Sequence, residues 1–208
     1  MASVNYRLGP DEPWPAQIVD AKCAVRFLRA NAKALGIDPK DIGVWGHSAG
    51  GHLASLLGTA GPDAGWDIGS YLSQASTVEA VADFAGPSNL ATLGEEGGPG
   101  VVQDNFVSLL GPVSAEQVPA ELEAASPVTY VSKDDPPFLI IHGDMDTIVP
   151  LAQSEEMASA LESVGVPVSL VVVEGGGHAL DEPDAQPDTE QIEEMIVRFF
   201  VREVQRSP

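Results

Sequence analysis

Ile42-Gly43-Val44-Trp45-Gly46-His47-Ser48-Ala49-Gly50-Gly51-His52-Leu53-Ala54-Ser55-Leu56-Leu57 is the stretch on which the fold turns. An apolar run, Ile42 to Trp45, enters Gly46-His47-Ser48-Ala49-Gly50, and Leu53, Leu56 and Leu57 then recur at helical spacing. That order predicts a strand, a sharp turn and a helix, with Ser48 at the apex. A G-x-S-x-G pattern alone is common; the strand before it and the helix after it make it a nucleophile elbow. Gly46 and Gly50 are expected to be small because the turn crowds both positions. The Ala49 amide opens the helix, where an unpaired N–H and the helix dipole favour a developing oxyanion.

Outward from the elbow, strand and helix patterns alternate. Ser3–Leu8 and Val78–Phe84 read as strands, as do the continuous apolar runs Phe138–Ile141 and Val168–Val173. Helical spacing runs from Ile18 through Val25 and Leu28 to Leu35, and Gly36 stops it. Further helices are expected from Leu151 to Val164 and from about Asp188. There Asp188 and Gln191 form a capping pair ahead of Ile192, Met195, Ile196, Phe199 and Phe200. This alternation implies a single α/β domain over residues 1–208, a parallel sheet with helices on both faces. Two stretches break the rhythm, 61–76 and 87–135, the second containing a loose Gly94–Gly100 segment. Both are expected to be lid-like insertions at the active-site end.

A serine needs a base, and the base needs a carboxylate to hold its tautomer. His178 follows the last strand in Glu174-Gly175-Gly176-Gly177-His178, where it can swing over Ser48. His47 and His52 flank the elbow and suit packing or surface roles, and His142 suits a loop-orienting hydrogen bond. Asp144 and Asp146 are the candidate carboxylates, after the Phe138 strand. The order Ser48, Asp146, His178 is that of α/β-hydrolases rather than of the chymotrypsin or subtilisin types.

Composition narrows the partners. The 208 residues carry 31 acidic against 10 basic side chains, a net charge of −21. Nucleic acid and anionic membranes are therefore not expected as partners. The charge reads as a solvated surface, with salt adaptation a testable alternative. Cys23 is the single cysteine, so no intrachain disulfide can form. No apolar run reaches transmembrane length, and residues 1–20 lack a signal-peptide pattern.

With these residues in place, the chain resembles α/β-hydrolase esterases and lipases. It is most similar to bacterial carboxylesterases related to acetyl-xylan and feruloyl esterases and to the hormone-sensitive-lipase-like group. The resemblance rests on Val4-Asn5-Tyr6-Arg7-Leu8, Pro15–Asp20, Gly36-Ile37-Asp38-Pro39, the elbow, Ser126–Val131, Asp134–Phe138 and His142–Asp146. It implies Ser48 as nucleophile, Asp146 as triad acid, His178 as general base, Asp144 as loop-shaping, and Ala49 as one oxyanion amide. It implies small carboxylic esters as substrates, from acetylated sugars and feruloyl esters to alkyl esters, and neither metal nor cofactor.

In that family the Tyr-Arg-Leu strand is the fourth, and a glycine-rich loop after the third completes the oxyanion hole. The resemblance therefore implies an N-terminally truncated domain, with a slot beside the elbow strand and a weakened oxyanion hole. A homodimer through that open sheet edge is expected. The compartment stays open: the cytoplasm is slightly favoured, and a secreted parent is compatible. Two other readings remain open here. One is a prolyl-oligopeptidase-like peptidase, and the other is a catalytically impaired fragment serving as a binding or oligomerisation module.

Overall fold

Strands that are apolar along their whole length need helices above and below them. The computed structural model, which describes residues 1–96, 109–110 and 117–204, has that arrangement. Four parallel strands lie in the order β1 (Gly43–His47), β2 (Ala80–Phe84), β3 (Phe138–Gly143) and β4 (Val168–Val173). Every residue of β2 and β3 is buried, while β1, paired only with β2, alternates between exposed and half-buried. Val81, Phe138 and Ile140 point to one face and join Ile18 and Val25 of α1 (Ala16–Ala30). Leu56 of α3 (Ala49–Thr59) packs there too, after the single turn α2 (Ala32–Leu35). Ala82, Phe84, Leu139 and Ile141 point the other way, onto the C-terminal helix. Such burial contributes about 1.5–3 kcal/mol per large side chain.

The remaining helices are α4 (Leu90–Glu96), α5 (Val118–Ala124), α6 (Leu151–Ser163) and α7 (Thr189–Val204). The cap expected before α7 is present and reciprocal. Asp188 N–H donates to Gln191 Oε1 at 3.0 Å, and Gln191 N–H to Asp188 Oδ1 at 2.9 Å. The helix expected from Ile18 to Leu35 is interrupted at Asn31. Its side-chain amide turns back to the Phe27 carbonyl at 2.8 Å, competing with the backbone ladder.

Ser3–Leu8 corrects one expectation: it forms no strand. A strand needs a neighbour to pair its backbone groups, and a cavity of about 440 Å³ separates this segment from β1. Met1, Val4 and Tyr6 line one side of the cavity and Gly43, Val44 and Trp45 the other. Side chains hold the segment instead: the Arg7 guanidinium grips Asp20 of α1, Nη2 lying 2.9 Å from Oδ1.

The 61–76 segment is pinned against α1. Lys22 Nζ donates to the Ala60 carbonyl at 2.7 Å and to Asp67 Oδ2 and Ser76 Oγ at 3.2 Å. Arg26 donates to the carbonyls of Ile68 and Ser70 at 2.6 and 3.1 Å. Of the 87–135 insertion, residues 97–108 and 111–116 lie outside the described residues, including most of Gly94–Gly100. Among the described residues no helix is long and apolar enough to cross a membrane.

Candidate active site

The elbow is built by close backbone approach. Ser48 N–H donates to the Phe84 carbonyl at 2.8 Å, locking the turn to β2. The Ser48 carbonyl accepts from His52 N–H at 3.0 Å and starts α3. Ser48 itself sits at φ 57° and ψ −119°, a region that non-glycine residues occupy at a cost of about 1–3 kcal/mol. Gly46 fits the expected crowding: a Cβ there would lie 2.2 Å from the Gly50 carbonyl oxygen. Gly50 does not. A Cβ there would meet no described atom within 4 Å, because Gly50 faces the cavity beside β1.

Three residues from the ends of separate strands meet at this apex. Ser48 Oγ and His178 Nε2 are 2.9 Å apart, and His178 Nδ1 and Asp146 Oδ2 are 2.6 Å apart. With Nδ1–H donating to the carboxylate, Nε2 is left as the acceptor for the Ser48 proton. The Asp146 side chain is fully buried, and its Oδ1 accepts from the amides of Ile148 and Val149 at 2.8 and 3.0 Å. Burial pushes its pKa up. The hydrogen bonds from His178 and the two amides, with the nearby His178 charge, outweigh burial and hold it below the usual carboxylate range.

Asp144 lies one step aside and accepts from Gly175 N–H at 2.7 Å, tying the Asp146 loop to the His178 loop. Met145 N–H to the Gly176 carbonyl at 2.9 Å adds a second tie. His142 is buried behind Asp146. Its Nε2–H donates to the Val149 carbonyl at 2.8 Å, so Nδ1 accepts from Ser154 Oγ at 2.6 Å. Burial lowers its pKa, so it is neutral at pH 7. His52 is buried too, donating to the Ala125 carbonyl at 2.7 Å, and burial lowers its pKa to about 4.

Sequence reasoning missed two supports. His47 Nε2–H donates to the carbonyl of His178 itself at 2.7 Å, and the two rings lie 4.8 Å apart. The elbow thus holds the backbone of the residue facing its serine. Asp83, 1% exposed within apolar β2, accepts from Ser55 Oγ at 2.6 Å and from Gly86 N–H at 2.9 Å. Gly51 and Gly86 leave it room: a Cβ on either would lie within 2.4 Å of Asp83 Oδ1. A carboxylate inside an apolar run was the visible signal for Asp83; the His47 contact left none.

Beside Ser48 and Ala49 opens a cavity of about 330 Å³, walled by Tyr6, Leu8, Trp14, Gln17, Leu53 and Leu109 among others. The Ala49 amide, first in α3, has no intrahelical acceptor. Among the described residues no group of three or more His, Cys, Asp or Glu side chains could hold a metal.

The proteins that this chain resembles include several esterases. Esterase LipQ of Mycobacterium tuberculosis (strain ATCC 25618 / H37Rv) is 34% identical over 188 residues, covering 86% of this chain and 42% of that protein. A truncated carbohydrate esterase from gut microbiota superposes with a TM-score of 0.82 at 34% identity, over 98% of this chain and 74% of that one. A bifunctional GH43-CE protein of Bacteroides eggerthii gives 0.83 at 34% identity, over 97% and 27%. The chain spans less than half the length of the curated relatives it matches. The BD-FAE family model matches residues 1–161. With its parallel sheet, serine elbow and esterase relatives, the chain belongs to the BD-FAE family and has the α/β-hydrolase fold.

Proposed function

We propose that the chain is a serine esterase that hydrolyses small carboxylic esters through an acyl-enzyme. The observation that carries this reading is the continuous relay from Ser48 Oγ through His178 to Asp146, with gaps of 2.9 and 2.6 Å. Ser48 Oγ attacks the ester carbonyl carbon while its proton passes to His178 Nε2. The carbonyl electron pair moves onto oxygen, which the Ala49 amide receives. Collapse of the intermediate breaks the ester C–O bond, and the departing alkoxide takes the proton from His178. Water then repeats the attack on acyl-Ser48 with His178 as base, releasing the acid and restoring Ser48. Asp146 stays ionised throughout and stabilises the imidazolium.

The small cavity and the carbohydrate esterases among the structural relatives favour short acyl groups on compact alcohols. Fluorophosphonate titration tests the reading: one label per chain, absent in Ser48→Ala, with ester hydrolysis lost in the same variant. Undiminished hydrolysis by Ser48→Ala would sink it.

We propose also that the open edge of β1 pairs with a second copy. Trp45 (52% exposed), Val197 (62%) and Val201 (51%) line a shallow apolar cavity beside that edge, an unusual surface for a free-standing chain.

A further inference from the structure

Gln17 stands out in the wall of the cavity beside Ser48. It is the second residue of α1 and only 4% exposed, and its Nε2–H donates to the Glu12 carbonyl at 2.8 Å. That bond fixes the orientation of the amide, since the reverse would set two oxygens against each other. The other end, Oε1, is buried and has no hydrogen-bond partner among the described residues. A buried acceptor left unpaired carries the full desolvation penalty of that oxygen, which is why such groups are rare and tend to mark function.

The surroundings narrow what could satisfy it. Tyr6, Leu8, Trp14 and Leu53 make the neighbouring wall largely apolar. A cationic donor would lose its hydration there with no carboxylate among the described wall residues to compensate. A neutral donor fits. The cavity, about 330 Å³, lies at the small end of the ~300–1,000 Å³ range of ligand pockets. A compact ester held at Ser48 would share this cavity with Gln17, which lines the same wall.

We propose that Gln17 Oε1 accepts a hydrogen bond from a hydroxyl of the substrate, next to the scissile ester, so that hydroxylated esters are the preferred class. The inference rests on the esterase reading and adds a specificity-determining residue to it. Gln17 keeps this contact unchanged from the bound ester to the transition state and takes no part in proton transfer.

The test compares 2-hydroxycyclohexyl acetate with cyclohexyl acetate, which differ by that one hydroxyl. In wild type, kcat/KM is expected to favour the hydroxylated ester about 5-fold, the size of a net neutral hydrogen bond. Gln17→Met, similar in volume but without the oxygen, should bring the ratio close to one. Binding of the same pair to Ser48→Ala, by calorimetry, reads the contact without turnover and without needing a folded Gln17 variant. It should show the same preference. Equal binding of the two esters to Ser48→Ala overturns the proposal, as does a preference that survives in Gln17→Met. If wild type hydrolyses neither ester while Ser48→Ala still discriminates between them, the esterase reading fails and the Gln17 contact stands.

Discussion

Replacing Asp83 with asparagine isolates the cost of burying a charge beneath the elbow. Burial raises the Asp83 pKa from 3.8 to about 6, against the opposing pull of the hydrogen bonds from Ser55 and Gly86 and the nearby His47. A carboxyl whose folded pKa lies above its unfolded one binds more protons when folded. Its contribution is therefore most favourable below pH 3.8 and weakens as pH rises to about 6. A shift of this size corresponds to about 3 kcal/mol of destabilisation at pH 7. Asparagine cannot ionise. With its oxygen toward Gly86 N–H and its NH₂ toward Ser55 Oγ, it keeps both contacts in neutral form. The stability of Asp83→Asn relative to wild type should therefore climb by about 2 kcal/mol between pH 4 and pH 7. Urea unfolding at a series of pH values measures this directly, and the slope matters more than the offset, since a change in packing or in neutral hydrogen bonding shifts every point alike. A difference that stays flat across this range, or that falls as pH rises, would refute the reasoning.

Asp146→Asn should lower kcat about 10⁴-fold by releasing the His178 tautomer, and fluorophosphonate labelling of Ser48 should slow with it; unaltered labelling would remove Asp146 from the relay. His47→Phe keeps a ring against His178 but loses the donation to its carbonyl. The expected result is a kcat about 3–10-fold lower at constant KM, and an unchanged kcat would show that the contact does not position the base. If β1 edges pair two copies that each carry −21 charges, added salt should tighten the dimer by screening their repulsion. Light scattering would show that, and a monomer at every salt concentration would end the dimer proposal.

Local signals were legible and non-local ones were not. The elbow, the Asp188–Gln191 cap and the β3 and β4 runs depend on residues a few positions apart, so spacing alone could place them. The Ser48, Asp146, His178 order could be read because each residue follows its own strand. Ser3–Leu8 has a strand's composition, yet strands are made by neighbours, and a cavity stands where a neighbour would be. Choosing between Asp144 and Asp146 without a family resemblance requires knowing which carboxylate the following amides turn toward His178. The His47–His178 contact joins residues 131 positions apart, and no local pattern encodes it. The unpaired oxygen of Gln17 is likewise a property of the packed state alone.

The backbone of Ser48, at φ 57° and ψ −119°, makes this position a place where stability and chemistry pull in opposite directions. Glycine would occupy that conformation without strain, so Ser48→Gly should be more stable than wild type by about 1 kcal/mol, the relieved strain less glycine's entropic cost, while hydrolysing nothing. The turn thus spends stability at the one side chain that the proposed reaction needs.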